Sequence, residues 1–139
     1  MLANHKTKLD LLKSVPLFAG CSEAELREIS AISDEIDFQQ GKRLIVERQE
    51  AVSEFFVIVE GQATVTREGQ EIATLGPGDW AGEIALISDT PRTASVTAAT
   101  PIVVLVITRG AFAALLRDTP TIAQKVLASV GARLAADAV

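Results

Sequence analysis

Three residue types that active sites lean on are nearly missing: the 139 residues include one cysteine, one histidine and no tyrosine. A single cysteine, Cys21, excludes an internal disulfide and points to a reducing compartment, the cytoplasm. No His or Asn pattern surrounds Cys21, so it reads as a structural thiol beside a helix. His5 lies in the N-terminal arm, and a Ser-His-Asp or Cys-His apparatus would have to recruit it from there. One histidine without a CxxC pair does not build the usual structural zinc site. No catalytic residue, metal ligand or cofactor is therefore expected. Long apolar runs are also missing: nothing approaches the roughly 18 uncharged residues of a membrane span. Around Lys6, Lys8 and Asp10 there is no apolar segment of the secretory kind. Basic excess is absent too, with 13 Lys and Arg against 18 Asp and Glu, a net charge of −5. Scattered basic residues argue against duplex nucleic acid, which needs a basic face. They leave room for a small phosphate-bearing ligand, for which one well-placed Arg suffices.

What is present is a folded composition, 48% hydrophobic and 22% charged, in a chain sized for one domain with one core. Leu9, Leu11, Leu12 and Val15 begin a helical arm that Pro16 interrupts. Ser22-Glu23-Ala24-Glu25 is a capping box, which predicts a helix of about ten residues burying Leu26, Ile29 and Ile32. From Glu35 the apolar period changes to two. Ile36 with Phe38, Leu44 to Val46, Phe55 to Val59, Ala63 to Thr66 and Glu71 to Leu75 read as short strands. Ser95 to Ala98 and Ile102 to Ile107 follow, with Gly41, Gly61, Glu68-Gly69, Gly76-Pro77-Gly78 and Pro101 at the intervening turns. Short strands at this spacing predict a closed antiparallel sandwich or barrel. Helical spacing returns at Ala111 to Leu116. Thr119 then reads as an N-cap with Pro120 at the first helical position, and Ile122, Val126, Val130 and Leu134 form an apolar stripe.

The stretch from Asp79 to Ser95 interrupts the strand pattern, and the segment from Gly82 to Ala98 carries the chemistry. Glu83 to Ile87 has room for one helical turn before a strand resumes at Arg92. Gly82 lets backbone approach a ligand closely, and the first-turn N–H groups of Ile84 and Ala85 make a phosphate cradle. Arg92 supplies a planar cation able to grip two phosphate oxygens. Glu83 beside such a site makes sense as the acceptor of a neutral hydroxyl, while Pro91 stiffens the approach and Thr93 and Ala94 leave room. A bare surface Glu83–Arg92 ion pair would be worth little and would not need these neighbours together.

Gly82-Glu83-Ile84-Ala85-Leu86 followed by Pro91-Arg92-Thr93-Ala94-Ser95-Val96 resembles the phosphate-binding cassette of the cyclic-nucleotide-binding domain family. Gly41, Ile45, Phe55 to Val59, Gly61 and Val65 fit its strand and turn skeleton. The resemblance implies a mainly β fold: an eight-stranded antiparallel, jelly-roll-like β-roll with N-terminal helices, a one-turn phosphate-binding helix and two C-terminal helices. Residues 1–34 would be the N-terminal helical part of this single domain, 35–108 the β-roll and 109–139 the C-terminal helices. It implies cAMP or cGMP as ligand, with Glu83 on the ribose 2′-hydroxyl and Arg92 and the amides of Ala85 and Thr93 on the phosphate. Val65 and Ala73 fall where the family lines the base or sugar. Thr93 permits cGMP without demanding it, and the family favours cAMP. Arg133 falls about 20° from Ile122 at ~100° per residue. It is either a lid stacked on the base or a cation reaching for water at the helix end.

Departures from the family pattern are Ala81, where a larger apolar residue commonly stands, and Gln49 and Val52, which replace loop glycines. Trp80 is placed to compensate for Ala81 in packing. The expected function is a sensor that moves its C-terminal helix on binding, with no bond made or broken. The alternatives are a regulatory fragment of a channel, transporter, enzyme or transcription regulator, or an orphan β-roll used for protein contacts. The end of the chain at Val139 leaves no room for a helix-turn-helix within it. The apolar C-terminal helix leaves a homodimer or an effector domain open as partner.

Overall fold

The computed structural model describes residues 7–46, 54–82 and 94–137, the side chains at 129, 130 and 132–137 excepted. The chain opens with α1 (Lys8–Lys13), capped by Thr7, whose hydroxyl accepts from the Asp10 N–H at 3.2 Å. Pro16 cannot continue it and instead starts a single 3₁₀ turn, Pro16–Phe18. In α2 (Glu23–Ala31) the capping box forms as its spacing demands. Ser22 Oγ accepts from the Glu25 N–H at 3.2 Å, and Glu25 Oε1 accepts from the Ser22 N–H at 2.8 Å. Leu26 and Ile29 are buried, and Ile32 is half-buried at the helix end.

Among the described residues there are eight strands in two antiparallel sheets. The first sheet has the order β1-β8-β3-β6, built from β1 (Asp34–Phe38), β3 (Glu54–Glu60), β6 (Trp80–Ala81) and β8 (Ile102–Thr108). The second has the order β2-β7-β4-β5, built from β2 (Arg43–Ile45), β4 (Ala63–Arg67), β5 (Gln70–Leu75) and β7 (Ser95–Ala98). The antiparallel architecture expected from the turn spacing, and the eight-stranded roll that the family resemblance implies, are thus present; β6, only two residues long, carries no periodicity and escapes a sequence reading.

Burial follows from the layering. On β3, Phe55, Val57 and Val59 face a cluster that includes Leu12, Phe18, Leu26, Phe112 and Ile122 from the helices. Phe56 and Ile58, with Ile102, Val104 and Val106 of β8, face a second cluster shared with Leu44, Ile45, Ala63, Val96 and Ala98 of the other sheet. The central strands of the first sheet are therefore covered on both faces, which explains the unbroken apolar runs FFVIV and IVVLVI. The second sheet is covered on one face only. Its inner row is apolar, and its outer row, Arg43, Thr97, Thr64 and Thr74, is polar by the same register. Phe18 meets Phe55 edge-on and Phe112 at a tilt, both with ring centroids 6.0 Å apart, which ties the 3₁₀ turn to β3 and to the helix that follows β8.

Among the corners with positive φ, two shape the strand frame. At the β4–β5 hairpin Glu68 (52°) and Gly69 (81°) make a two-residue turn of the primed kind. At Gly61 (φ 88°) the chain leaves β3 pressed against the 100–102 segment. A Cβ here would stand 2.4 Å from the Pro101 carbonyl oxygen and 2.9 Å from Thr100 Oγ1. The same corner is stitched by the Gln62 N–H to Thr100 Oγ1 at 3.0 Å and the Ala99 N–H to the Gln62 carbonyl at 2.9 Å.

The C-terminal helices are α3 (Arg109–Asp118) and α4 (Pro120–Asp137). The first begins earlier than its apolar spacing indicates because Thr108 Oγ1 accepts from the Ala111 N–H at 3.2 Å. In α4, Ile122 and Val126 are buried among the N-terminal helices, and Leu127 is 70% exposed. No helix among the described residues is long and apolar enough to cross a membrane.

Glu25 links the two ends of the chain. Its Oε1 also accepts from Lys125 Nζ of α4 at 2.5 Å. The Lys125 hydrogen bond first, then the Ser22 N–H and the Thr121 hydroxyl, hold its carboxyl down from the ordinary 4.5 to about 2, against the opposing effect of burial.

Two outcomes are expected. Gly61→Ala should destabilise the fold by about 2 kcal/mol or more, because strain at positive φ adds to a collision with backbone. Gly69→Ala, with nothing within 4 Å of the added methyl, should cost only about 1 kcal/mol. Urea unfolding of both variants checks the difference, and equal losses would contradict it. Second, unfolded Glu25 takes up its proton near 4.5, whereas the folded residue resists until about 2. Its stabilisation is therefore whole above pH 4.5 and lost as pH falls toward 2. Thermal melts across that window should show wild type losing its advantage over Glu25→Gln; parallel curves would contradict this.

Candidate functional site

The segment between Gly82 and Ala94 crosses from one sheet to the other. It leaves β6, at the edge of the first sheet, and re-enters as β7, between β2 and β4 of the second. Both anchors are held by backbone. The turn before β6 is closed by the Asp79 N–H to the Gly76 carbonyl at 2.9 Å and by the Gly76 N–H to Asp79 Oδ2 at 2.8 Å. The Gly78 N–H donates to the Ile58 carbonyl and the Ile58 N–H to the Asp79 carbonyl, each at 2.8 Å, which bolts this turn to β3. Asp79 is thus a positioning residue that its place after Gly76-Pro77-Gly78 hints at. β6 then pairs Phe56 with Ala81 and Val57 with Trp80.

That register corrects one expectation. Successive residues of a strand face opposite sides. Trp80 packs on the helical cluster and Ala81 on the inner one. Trp80 therefore does not stand in for a larger residue at 81; the inner wall there stays small. Gly82 follows with φ 82°, a left-handed conformation that turns the chain sharply off β6.

At the other anchor, Ala94 is half-buried and leads into β7. Val96 pairs with Val65, Val65 with Ala73, and Ile45 with Val96, so all four share the inner face of the second sheet. Exposure rises along this row. Ile45 and Val96 are each 5% exposed, Val65 is half-buried and Ala73 is exposed. The two residues expected to line a base or sugar are therefore neighbours on one apolar strip, open at its β5 end and starting two residues beyond Ala94. A bulge between Val65 and Thr66 leaves Ile72 unpaired on β5, 49% exposed.

Of the remaining residues expected in the site, Glu83, Ile84, Ala85, Arg92 and Thr93 lie outside the described residues, as do the one-turn helix, Gln49 and Val52. Arg133 belongs to α4, and its side chain lies outside them too. Among the described residues no group of three or more His, Cys, Asp or Glu is arranged to hold a metal ion. Burial and then the Glu25 carboxylate push the Cys21 thiol above its ordinary 9.0, which keeps it protonated and suits a structural role. The contact that sequence reasoning missed is Glu25 with Lys125. Local spacing carries no signal for two residues a hundred positions apart.

The model of a family described as "Cyclic nucleotide-binding domain" matches residues 35–119. The chain is similar to cGMP-dependent protein kinase egl-4 of Caenorhabditis briggsae, 34% identical over 128 residues, which covers 87% of this chain and 17% of the kinase. It is 41% identical over 92 residues to the cAMP-dependent protein kinase regulatory subunit of Mycosarcoma maydis, covering 63% of this chain and 17% of that protein. The chain thus spans about a sixth of the length of these curated relatives. A solved structure, the N-terminal domain of a transcriptional regulator from Streptomyces coelicolor A3(2), superposes with a TM-score of 0.84 at 30% identity. It covers 93% of this chain and 95% of that one.

Proposed function

This chain belongs to the cyclic-nucleotide-binding domain family, and on that premise we propose that it is a sensor for cAMP, with cGMP as a weaker ligand, that signals through α4. The observation that carries the reading is the apolar strip Ile45–Val96–Val65–Ala73, closed at one end, open at the other, and adjoining the re-entry of the cassette segment at Ala94. A purine and its sugar have the flat, largely apolar faces that such a strip accepts. Gly82 would bring backbone close to the ligand, and Glu83 would accept from the ribose 2′-hydroxyl. Arg92 would neutralise the cyclic phosphate together with the amides of Ala85 and Thr93. Ala94 would keep the floor of the site low. The preference for cAMP leans on the 41% identical relative, a cAMP-dependent regulatory subunit, and Thr93 keeps cGMP in play.

The readout would be a population shift. Binding would draw α4 toward the base, where Arg133 would stack on the exposed purine face. The reading needs no reaction on the ligand. Its second form, a regulatory module within a longer protein, is favoured by the small fraction of each curated relative that the chain spans.

Calorimetry tests the assignment. Wild type should bind cAMP more tightly than cGMP, and Arg92→Ala should weaken both by about 100-fold, the worth of a lost charge-assisted bidentate contact. No binding of either nucleotide at millimolar concentration would sink the reading. For the lid, Arg133→Ala should act chiefly through a faster off-rate in stopped-flow displacement. An unchanged off-rate would remove Arg133 from the site.

A further inference from the structure

Glu25 is the one buried charged side chain among the described residues, and no part of the nucleotide reading uses it. Its carboxylate draws donors from both ends of the chain. Oε1 accepts from the Ser22 N–H at 2.8 Å within the α2 cap, and from Lys125 Nζ of α4 at 2.5 Å. The Thr121 hydroxyl, one turn before Lys125 on the same face of α4, stands near enough to help hold the same carboxyl below its ordinary pKa. Beside it the Lys125 stem passes over Gly20, with Cβ and Cγ 3.7 Å from where a glycine Cβ would stand. The Lys125 side chain is 38% exposed and that of Glu25 only 11%. The other ion pair of α2, Arg27 with Glu23, is internal to that helix and 65% and 70% exposed.

Such an arrangement does more than cap a helix. The capping box needs only Glu25 and Ser22; a glutamine would serve there. Thr121 and Lys125 add nothing to the cap, yet they place the first turns of α4 on the charge that organises the start of α2. Sliding or tilting α4 would strand a buried carboxylate without its cation, which is costly. The apolar contacts of Ile122 and Val126 with the same helices have no comparable geometric demand.

We propose that Glu25 and Lys125 form a latch that holds α4 on the N-terminal helices and must release before α4 can change position. Its consequence for ligand affinity rests on the nucleotide-binding reading above. If α4 has to move for tight binding, the latch lowers the population of the competent state and so lowers the apparent affinity.

Amide hydrogen exchange on the nucleotide-free chain, with cAMP calorimetry alongside, tests this. Lys125→Met keeps the stem and the α2 cap but removes the cation, and Glu25→Gln keeps an acceptor for the cap but removes the charge. Each should speed exchange at the α4 amides of Ala123 to Leu127 by about tenfold. The amides of Leu26 to Ile29 in α2 should keep their protection. The double variant should be no faster than either single, because the two changes break one interaction. Glu23→Gln, which touches only the exposed pair, should leave α4 unchanged. Both latch variants should bind cAMP about threefold to tenfold more tightly than wild type. Unaltered α4 protection, or loss of protection in α2 and α4 alike in Lys125→Met, would overturn the latch. Selective loosening of α4 without tighter cAMP binding would overturn its link to affinity. A wild type that does not bind cAMP would count against the binding reading, while the exchange comparison still decides the latch.

Discussion

The antiparallel pairing of β3 with β8 is the constraint on which the other elements depend. Both strands are covered on one face by helices and on the other by the second sheet, so neither can use polarity to choose its register. A slip by one residue would exchange apolar side chains for apolar side chains. Register must come from the ends instead. At one end, Gly61 and the 100–102 segment fit so closely that a single methyl group collides with backbone. Beside it, the pairing shifts between Ile58 and Glu60. This corner therefore sets where β3 stands, and β3 in turn carries β6 and Gly82. The place where the chain departs at Gly82 is thus decided by packing some twenty residues earlier.

The two sheets divide the work. The first is structural, a wall between helices and roll with no free face along its central strands. The second is built more openly. Its outer face carries Arg43 and a row of three threonines, and its inner face runs from buried Ile45 to exposed Ala73. An apolar strip left open at an edge strand is poor economy for a fold and good design for a site. On the far side of the wall the helices hold one another through a greasy cluster plus the directional contact of Glu25 with Lys125. Stability and conformational control therefore come from different interactions: burial is tolerant of small shifts, and the ion pair is not.

What the sequence made legible was whatever is local. The capping box, the Pro16 interruption, the glycine turns and the start of α4 at Pro120 all rest on residues within a few positions of each other. The helix start capped by Thr108 is less visible, since a threonine at a strand end looks like strand. Two residues of β6 are too few to show a period, so the opposite facing of Trp80 and Ala81 is not legible in the sequence. The strip Val65–Ala73 was reachable only by resemblance, because its meaning lies in the cross-strand register. The Glu25–Lys125 contact was not reachable at all: it pairs a cap at one end of the chain with a helix at the other.

The central claim is that a cyclic nucleotide lies on the inner strip of the second sheet, against the Gly82 to Ala94 segment. Backbone amide chemical shifts recorded as cAMP is added test it most directly, with 5′-AMP as the comparison. The account predicts that Val65, Ala73, Gly82 and Ala94 move together and saturate with cAMP, that 5′-AMP moves them far less, and that the outer-face amides of Thr64 and Thr97 respond weakly. Shifts confined to other surfaces, or the same response to both nucleotides, would contradict it.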